Sequence, residues 1–436
     1  MKNIASVAGT RPLSVWVLQT GEPLPSDGGH PRPMRAINLA NALVSAGHRV
    51  VLWSSSFSHL DKRHRVEGTQ RMQSIQVSAG LEVRLIRSPG YQRNIGPGRL
   101  WDHAMLARNL ALELARESAL PDVAFVGFPP IETAAVMTRW LAVRSIPCMI
   151  DVKDQWPEVF VHALPKPLQP LGRVLLAPYF YYARRAMRDA TALSAMADGF
   201  LHWAAAFCGR TVQAQDRVVP LTTPLGQVSD DDQRAAARWW DELGVPDNGA
   251  PRVMFVGSHS AAFDMEAVAE AAAELAAAQL RCQFVLCGTG DNTADWRSRM
   301  AGLDSVVFPG WVDQALIQAL ARRSIAALAP YRNSADFMMS IPNKVVDALA
   351  LGLPVLSPLQ GEVATLIREN GVGMVYGPSS GVSLRQCIES LSSDPALRER
   401  LSAQAGRLYA QRFAFDMVYG GLVTALEQLA SNRPSR

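Results

Sequence analysis

From residue 14 to residue 55 the chain runs an apolar stretch of strand length, a glycine and proline loop, a helical periodicity and a second apolar strand. This order restricts the fold more than any other feature of the sequence. Residues 14–20 (S-V-W-V-L-Q-T) are the first apolar run, and G-E-P-L-P-S-D-G-G-H-P-R-P follows as the loop. Residues 34–46 then place Ile37, Leu39, Ala40, Leu43 and Val44 on one side, and Gly47 stops the helix before R-V-V-L-W-S-S. Two strands joined through a helix pair in parallel, so this is the first unit of a parallel sheet. Strands at 81–87, 122–128, 147–152, 191–196 and 217–221 alternate with helices at 101–117, 131–144 and 198–207. That alternation predicts an α/β, doubly wound parallel sheet. Residues 59–76, crowded with Lys and Arg, read as a long exposed loop.

V-P-D-N-G-A-P at 245–251 is the clearest linker signal, preceded by an acidic, Trp-bearing helix at 229–243. The alternation then restarts. Strand 252–256 leads into G-S-H-S-A-A-F-D, an alanine-rich helix spans 264–279, and strand 282–287 runs into G-T-G-D. Helix 294–301, strand 305–308, helix 314–322 and strand 324–329 follow. A chain of 436 residues has room for two domains, each with its own core. The expected division is 1–222, 223–414 and a terminal helical segment, 415–436.

Composition narrows the function classes. No run approaches the roughly eighteen apolar residues of a spanning helix, and the first dozen residues show no apolar leader. Five cysteines without a C-x-x-C pair read as reduced, buried thiols of a cytoplasmic protein. Residues 1–200 hold 23 Lys and Arg against 15 Asp and Glu, whereas the remainder holds 20 against 24. A basic first half suits anionic lipid or a phosphorylated acceptor, or is simply solvated. Aromatic and basic residues do not interleave as single-stranded nucleic acid requires, so no nucleic-acid partner is expected. Residues 164–188 combine prolines, three tyrosines and several arginines; they either pack on the sheet or lie at a membrane surface.

S-A-D-F-M-M-S-I-P-N-K-V-V-D-A-L-A-L-G-L-P-V, from residue 334 to 355, reads as a polar loop, a helix begun at Ser340 or Ile341, a Gly352 stop and a strand. Lys344 and Asp347 share an exposed face there while Val345, Val346 and Leu349 turn inward. The pair is either an ordinary surface ion pair or a binding pair. A cation and a carboxylate at a helix N-terminus suit a ligand with phosphates at one end and hydroxyls at the other, such as a nucleotide sugar. Gly28 and Gly29 either form a turn or let backbone amides approach an anion. Asp151, Lys153 and Asp154, in I-D-V-K-D-Q-W-P-E, fall at a strand's carboxyl end, either as caps or as ligand contacts. G-T-G at 288–290 invites a dinucleotide reading, but Thr293 stands where the third glycine belongs.

The 334–355 segment resembles the donor signature S-x-P-x-K-x-x-E/D-x-x-A-x-G-x-P-V of the retaining, family-four glycosyltransferases with the GT-B fold. G-E-P-x-P-x-D-G-G-x-x-R-P and D-x-x-D-x-W-P resemble members that assemble O-antigen, capsule or exopolysaccharide, including N-acetylfucosamine and other amino-sugar transferases. The resemblance implies two Rossmann-like domains facing across a cleft, with a C-terminal helix crossing back to the first. It implies transfer from a nucleotide diphosphate sugar, UDP-sugar favoured, to a polyprenyl-linked or glycan acceptor, with no metal and no cofactor. Lys344 would neutralise the leaving diphosphate and Asp154 would be the acceptor-side catalytic carboxylate. Donor contacts would come from Gly28, Gly29, Gly257, Ser258, Gly288, Gly310, Trp311, Val312, Ser340, Asp347, Gly361 and Glu362. Asp27, Arg32 and Asp151 would lie on the acceptor side. The implied protein is cytoplasmic, with inner-membrane surface contact.

The sequence also departs from that pattern. The family's first Glu is replaced by Met339, with Asp336 out of register, and the usual Arg and Lys after the second domain's first strand are absent, leaving His259. Two other functions share the implied fold: a sugar-nucleotide 2-epimerase, which needs paired carboxylates around the sugar, and a non-catalytic sugar-nucleotide-binding partner, which does not need Asp154.

Overall fold

The structure is a computed structural model that describes residues 11–28, 33–93, 96–222, 224 and 226–432. The chain divides into two compact units, Met1–Thr223 with Asp416–Arg436, and Pro224–Phe415.

The first unit is built on eight strands in the order Arg217–Val218, Ala192–Ala195, Cys148–Val152, Val123–Phe128, Ser14–Leu18, Arg49–Ser55, Leu81–Ile86 and Met72–Ser78. Every neighbouring pair is parallel except the last. The order runs outward in both directions from Ser14–Leu18 and Val123–Phe128. Their carboxyl ends therefore flank a topological switch point, where open α/β sheets bind ligands. Both faces of the sheet are covered, and Trp16 and Trp53 are buried with ring centroids 5.0 Å apart.

The expected loop at 59–76 is only partly a loop. Phe57–Ser58 and Arg63–His64 form a small antiparallel hairpin, and Met72–Ser78 closes the sheet as its antiparallel edge. The two-residue alternation of M-Q-S-I-Q-V-S carries that strand, and its polar side chains suit an edge left unpaired on one side. Segment 164–188 divides as well. Helix Ala177–Asp189 buries Phe180, Ala183, Ala186 and Met187 and packs on helix Ile131–Val143, whereas Gln169–Leu175 buries Gly172 alone.

Helix Phe415–Ser431 joins the first unit through a buried polar contact. Leu13 N donates to His48 Nδ1 at 3.2 Å, which leaves the proton on Nε2, and Nε2 donates to Glu427 Oε1 at 3.0 Å.

The second unit carries six strands, all parallel, in the order Val306–Gly310, Gln283–Cys287, Arg252–Val256, Ala326–Leu328, Val355–Ser357 and Gly373–Val375. Its switch point lies between Arg252–Val256 and Ala326–Leu328. The acidic helix Asp230–Glu242 starts at Ser229, whose side chain accepts from Asp232 N at 3.1 Å, and is fixed by Trp240, whose ring nitrogen donates to Leu316 O at 2.9 Å. Among the described residues no helix is long and apolar enough to cross a membrane.

Candidate functional site

At the second unit's switch point the strands end in glycines, and the backbones approach so closely that side chains have no room. A Cβ on Gly288 would lie 1.9 Å from Gly257 O, and one on Gly290 would lie 2.5 Å from His259 O. Gly288 N donates to Gly310 O at 2.6 Å, so the turns after three adjacent strands are knitted into one rim. Ser258 is exposed on it. Beyond Gly310, Trp311 is 76 % exposed while Val312 is buried.

Lys344 reaches this rim from the first turn of helix Asn343–Ala350. Its ammonium donates to Val256 O and sits 4.5 Å from the Phe255 ring centroid and 5.1 Å from that of Phe263. Asp347 stands one turn further along the helix. Burial raises the Tyr331 phenol well above its ordinary value, the Asp347 charge adds to this, and a hydrogen bond from the Lys344 amide opposes it. Lys344 and Asp347 thus border the same tyrosine, and both are half-buried there, not on the exposed face that their spacing suggests. The helix begins two to three residues later than the sequence suggests, because Pro342 is extended (ψ 154°) and takes the cap position. Ser340 consequently falls outside the helix, is buried, and donates to Phe337 O at 3.4 Å instead of facing the rim. Gly361 precedes helix Glu362–Asn370 with φ +70°, and a Cβ there would lie 2.2 Å from Met338 O. Glu362, half-buried, opens that helix. Asp336 and Met339 are both half-buried in and just after the short helix Ala335–Met338.

His259 does not stand in for a missing surface cation, because it is 1 % exposed. Its ring stacks on Trp296 with centroids 4.2 Å apart, and its Nδ1 lies 3.0 Å from Thr293 Oγ1, which accepts from Gly290 N at 2.9 Å. Burial lowers the imidazole's pKa, the Cys287 carbonyl opposes this, and the Arg297 and Lys344 charges lower it further. A neutral histidine therefore props the G-T-G turn from beneath. Thr293, which breaks the dinucleotide fingerprint, has a structural use here.

In the first unit, the switch point opens into a recess of about 220 Å³ between the turn after Ser14–Leu18 and the residues after Val123–Phe128 and Cys148–Val152. Asp154 is exposed on its lining. Lys153, beside it, pairs with Glu22, whose other oxygen accepts from Ala36 N at 2.8 Å. Two expected acceptor-side carboxylates are not at this surface. Asp151 is fully buried, with Oδ2 3.2 Å from Arg35 Nε and Oδ1 accepting from Ser194 Oγ at 2.9 Å, so it braces the sheet beneath Lys153. Asp27 is held by both arms of Arg65, at 2.7 and 2.9 Å, with both side chains 4 % exposed. Burial pushes the Asp27 pKa up, but the Arg65 hydrogen bonds, the Leu24 amide and the Arg65 and Arg63 charges together hold it below the usual value. Gly28 lies against Arg63. Gly29 and Arg32 are outside the described residues.

The recess also gathers residues that the sequence reading passed over. Arg99, Asp102, His103 and Leu106 line it from one face of helix Pro97–Leu114, and their spacing was the signal that could have found them. Tyr91 and His59 complete the wall, with Tyr91 Oη hydrogen-bonded to His59 Nδ1. Burial, then the charges of Lys62, Arg99 and His103, lower the His59 pKa to about 4. Among the described residues no His, Cys, Asp and Glu cluster is arranged to hold a metal ion.

Residues 250–394 match the family described as glycosyl transferases, group 1. Alpha-D-kanosaminyltransferase of Streptomyces kanamyceticus is 26% identical over 187 residues, 42% of this chain and 47% of that protein, so the chain spans about half the length of this curated relative in the match. Sucrose-phosphate synthase from Thermosynechococcus elongatus superposes with a TM-score of 0.67 at 14% identity, over 96% of this chain and 99% of that one. Anabaena HepE, solved in complex with UDP and glucose, gives 0.62 at 15% identity over 95% and 100%. WaaG, a glycosyltransferase involved in lipopolysaccharide biosynthesis, gives 0.60 at 14% over 95% and 99%. The fold is therefore that of the GT-B glycosyltransferases, and residues 250–394, which carry the glycine rim and Lys344, are the part that matches the group 1 enzymes.

Proposed function

We propose that this chain is a retaining glycosyltransferase. It moves a sugar from a nucleotide diphosphate donor, a UDP-sugar, to a polyprenyl-linked or glycan acceptor in bacterial surface polysaccharide assembly, without a metal at its site. The observation that carries this reading is Lys344, whose ammonium lies against Val256 O beside Gly257 at the switch point. As the bond between sugar and diphosphate breaks, negative charge grows on the leaving oxygens, and a fixed cation stabilises that charge more than the ground state. Asp347, one turn on, accepts from ribose hydroxyls, and the backbone of Gly310, Trp311 and Val312 borders the base. The Anabaena structure with UDP and glucose supports the donor class.

Asp154 is the acceptor-side carboxylate in this reading, since it is exposed on the first unit's recess whereas Asp27 and Asp151 are buried in ion pairs. The Tyr91 ring and the Arg99 guanidinium, 5.7 Å from its centroid, give that recess a wall suited to a pyranose. The basic first half suits an acceptor carried at the cytoplasmic face of the inner membrane.

The test separates binding from turnover. Asp154→Ala should abolish transfer while leaving UDP affinity within about twofold, because removing a positioned acid–base group costs roughly 10²–10⁴ in rate. Full activity in that variant would remove Asp154 from the site.

A further inference from the structure

The surface formed by helices Gln169–Leu175 and Ala177–Asp189 has no occupant among the described residues, and its composition is unusual. Leu168, Leu171, Val174, Leu175, Tyr181 and Tyr182 are each about half exposed or more, and Val174 (71 %) and Leu175 (70 %) are the most exposed aliphatic side chains described. Singly scattered apolar residues are ordinary on a surface, but six within fifteen residues mark an interaction site. The charge around them is one-sided. Residues 159–188 contain five Lys and Arg and no Asp or Glu.

The cations are also organised. Arg173 from the first helix and Arg184, Arg185 and Arg188 from the second line a recess of about 630 Å³, with Asp189 the one carboxylate in its lining. Neutral groups hold three of these guanidinium groups in place. Arg185 donates to Tyr181 Oη at 2.7 Å, Arg188 Nε donates to Cys208 O at 2.6 Å, and Arg184 lies 5.2 Å from the Phe207 ring centroid. Arg185 also pairs with a carboxylate, Asp189, at 3.5 Å. Four guanidinium groups, three of them held by neighbours, against one carboxylate favour phosphate oxygens.

We infer that this surface docks the protein on an anionic phospholipid bilayer: Val174, Leu175 and Leu171 enter the interface and the arginine recess takes lipid phosphates. The inference rests on the membrane side of the functional proposal above, and it assigns the surface and the lipid class. A seven-residue helix is about 10 Å long, too short to span but long enough to lie in the headgroup region. Helix Ala177–Asp189 anchors the surface to the first unit through its buried face, so the exposed face can be altered without touching the core.

The test is co-sedimentation of the full chain with phosphatidylcholine vesicles and with vesicles containing phosphatidylglycerol. Binding should require phosphatidylglycerol and weaken as salt is raised. Arg173→Gln with Arg184→Gln should weaken it by roughly 25-fold, at about fivefold per cation near an anionic surface. Val174→Ser with Leu175→Ser should remove it while UDP affinity, measured in parallel, stays unchanged. Failure to bind phosphatidylglycerol vesicles, or binding indifferent to both double variants, overturns the docking assignment. So does a dimer in light scattering that Leu175→Ser dissociates, because the surface would then belong to a second copy. If vesicle binding fails while UDP binding and transfer persist, the docking surface falls and the glycosyltransferase reading stands. Binding to vesicles without any nucleotide binding supports the docking surface and removes that reading.

Discussion

Gly257→Ala perturbs the proposed donor site through a single atom. Its Cβ would fall 1.6 Å from Lys344 Nζ and 2.9 Å from Cε, with the Phe255 ring next at 4.0 Å. The obstruction is the end of a flexible side chain, so the ammonium moves off Val256 O and the strand stays in place. Backbone strain at φ +153° adds a stability cost of about 1–3 kcal/mol. Displacing the ammonium removes a charge-assisted hydrogen bond to the diphosphate, about 1.5–3 kcal/mol, or roughly 10- to 150-fold in Kd. Gly288→Ala is the contrast, because its Cβ meets the Gly257 carbonyl, a backbone atom that cannot swing away, and it should fail to fold. The assay is calorimetric UDP titration of wild type, Gly257→Ala, Lys344→Ala and the double variant. If Gly257→Ala acts by moving Lys344, the double variant binds no more weakly than Lys344→Ala alone. Additive losses, or normal UDP binding by a folded Gly257→Ala, would refute the reasoning.

Three other predictions follow from the first unit. Arg65→Ala leaves the buried Asp27 carboxylate without its partner and should cost about 3–5 kcal/mol in denaturant unfolding. Because Asp27 titrates below its unfolded value of 3.8, the wild-type pair's contribution is present above that value and is lost as pH falls through the lower folded pKa. His59 should stay neutral in NMR titration until about pH 4. Its folded pKa lies below the unfolded 6.5, so its effect on stability is absent above 6.5 and becomes a penalty as pH falls from 6.5 toward 4; a His59 midpoint near 6.5 contradicts this. Glu427→Ala leaves the buried His48 Nε2 proton without an acceptor and should cost about 1–3 kcal/mol, read as faster proteolysis of helix Phe415–Ser431.

What the sequence made legible was what local rules govern. Alternating strand and helix periods predict both parallel sheets, and Arg252–Val256, Asp198–Phe207 and Gln314–Arg322 begin and end where the pattern changes. The glycine rim was readable because glycines stand directly after strands, where only a bare backbone fits. The misplaced residues depend on distant partners. Asp151 looks like a strand-end ligand until Arg35, 116 positions earlier, is found against it, and Asp27 is tied to Arg65 just beyond a hairpin whose sequence has only the look of a loop. His259 turns inward because Trp296 and Thr293 form a socket for it. None of these pairings has a periodicity to betray it.

Calorimetry of the purified chain against UDP, GDP, ADP and dTDP, repeated on Lys344→Ala, tests the central claim most directly. A donor-site nucleotide stabilises the fold by mass action, so the account predicts selective binding by one nucleotide, UDP, and its loss in the variant. Silence from every nucleotide, or UDP binding that Lys344→Ala leaves intact, would contradict it.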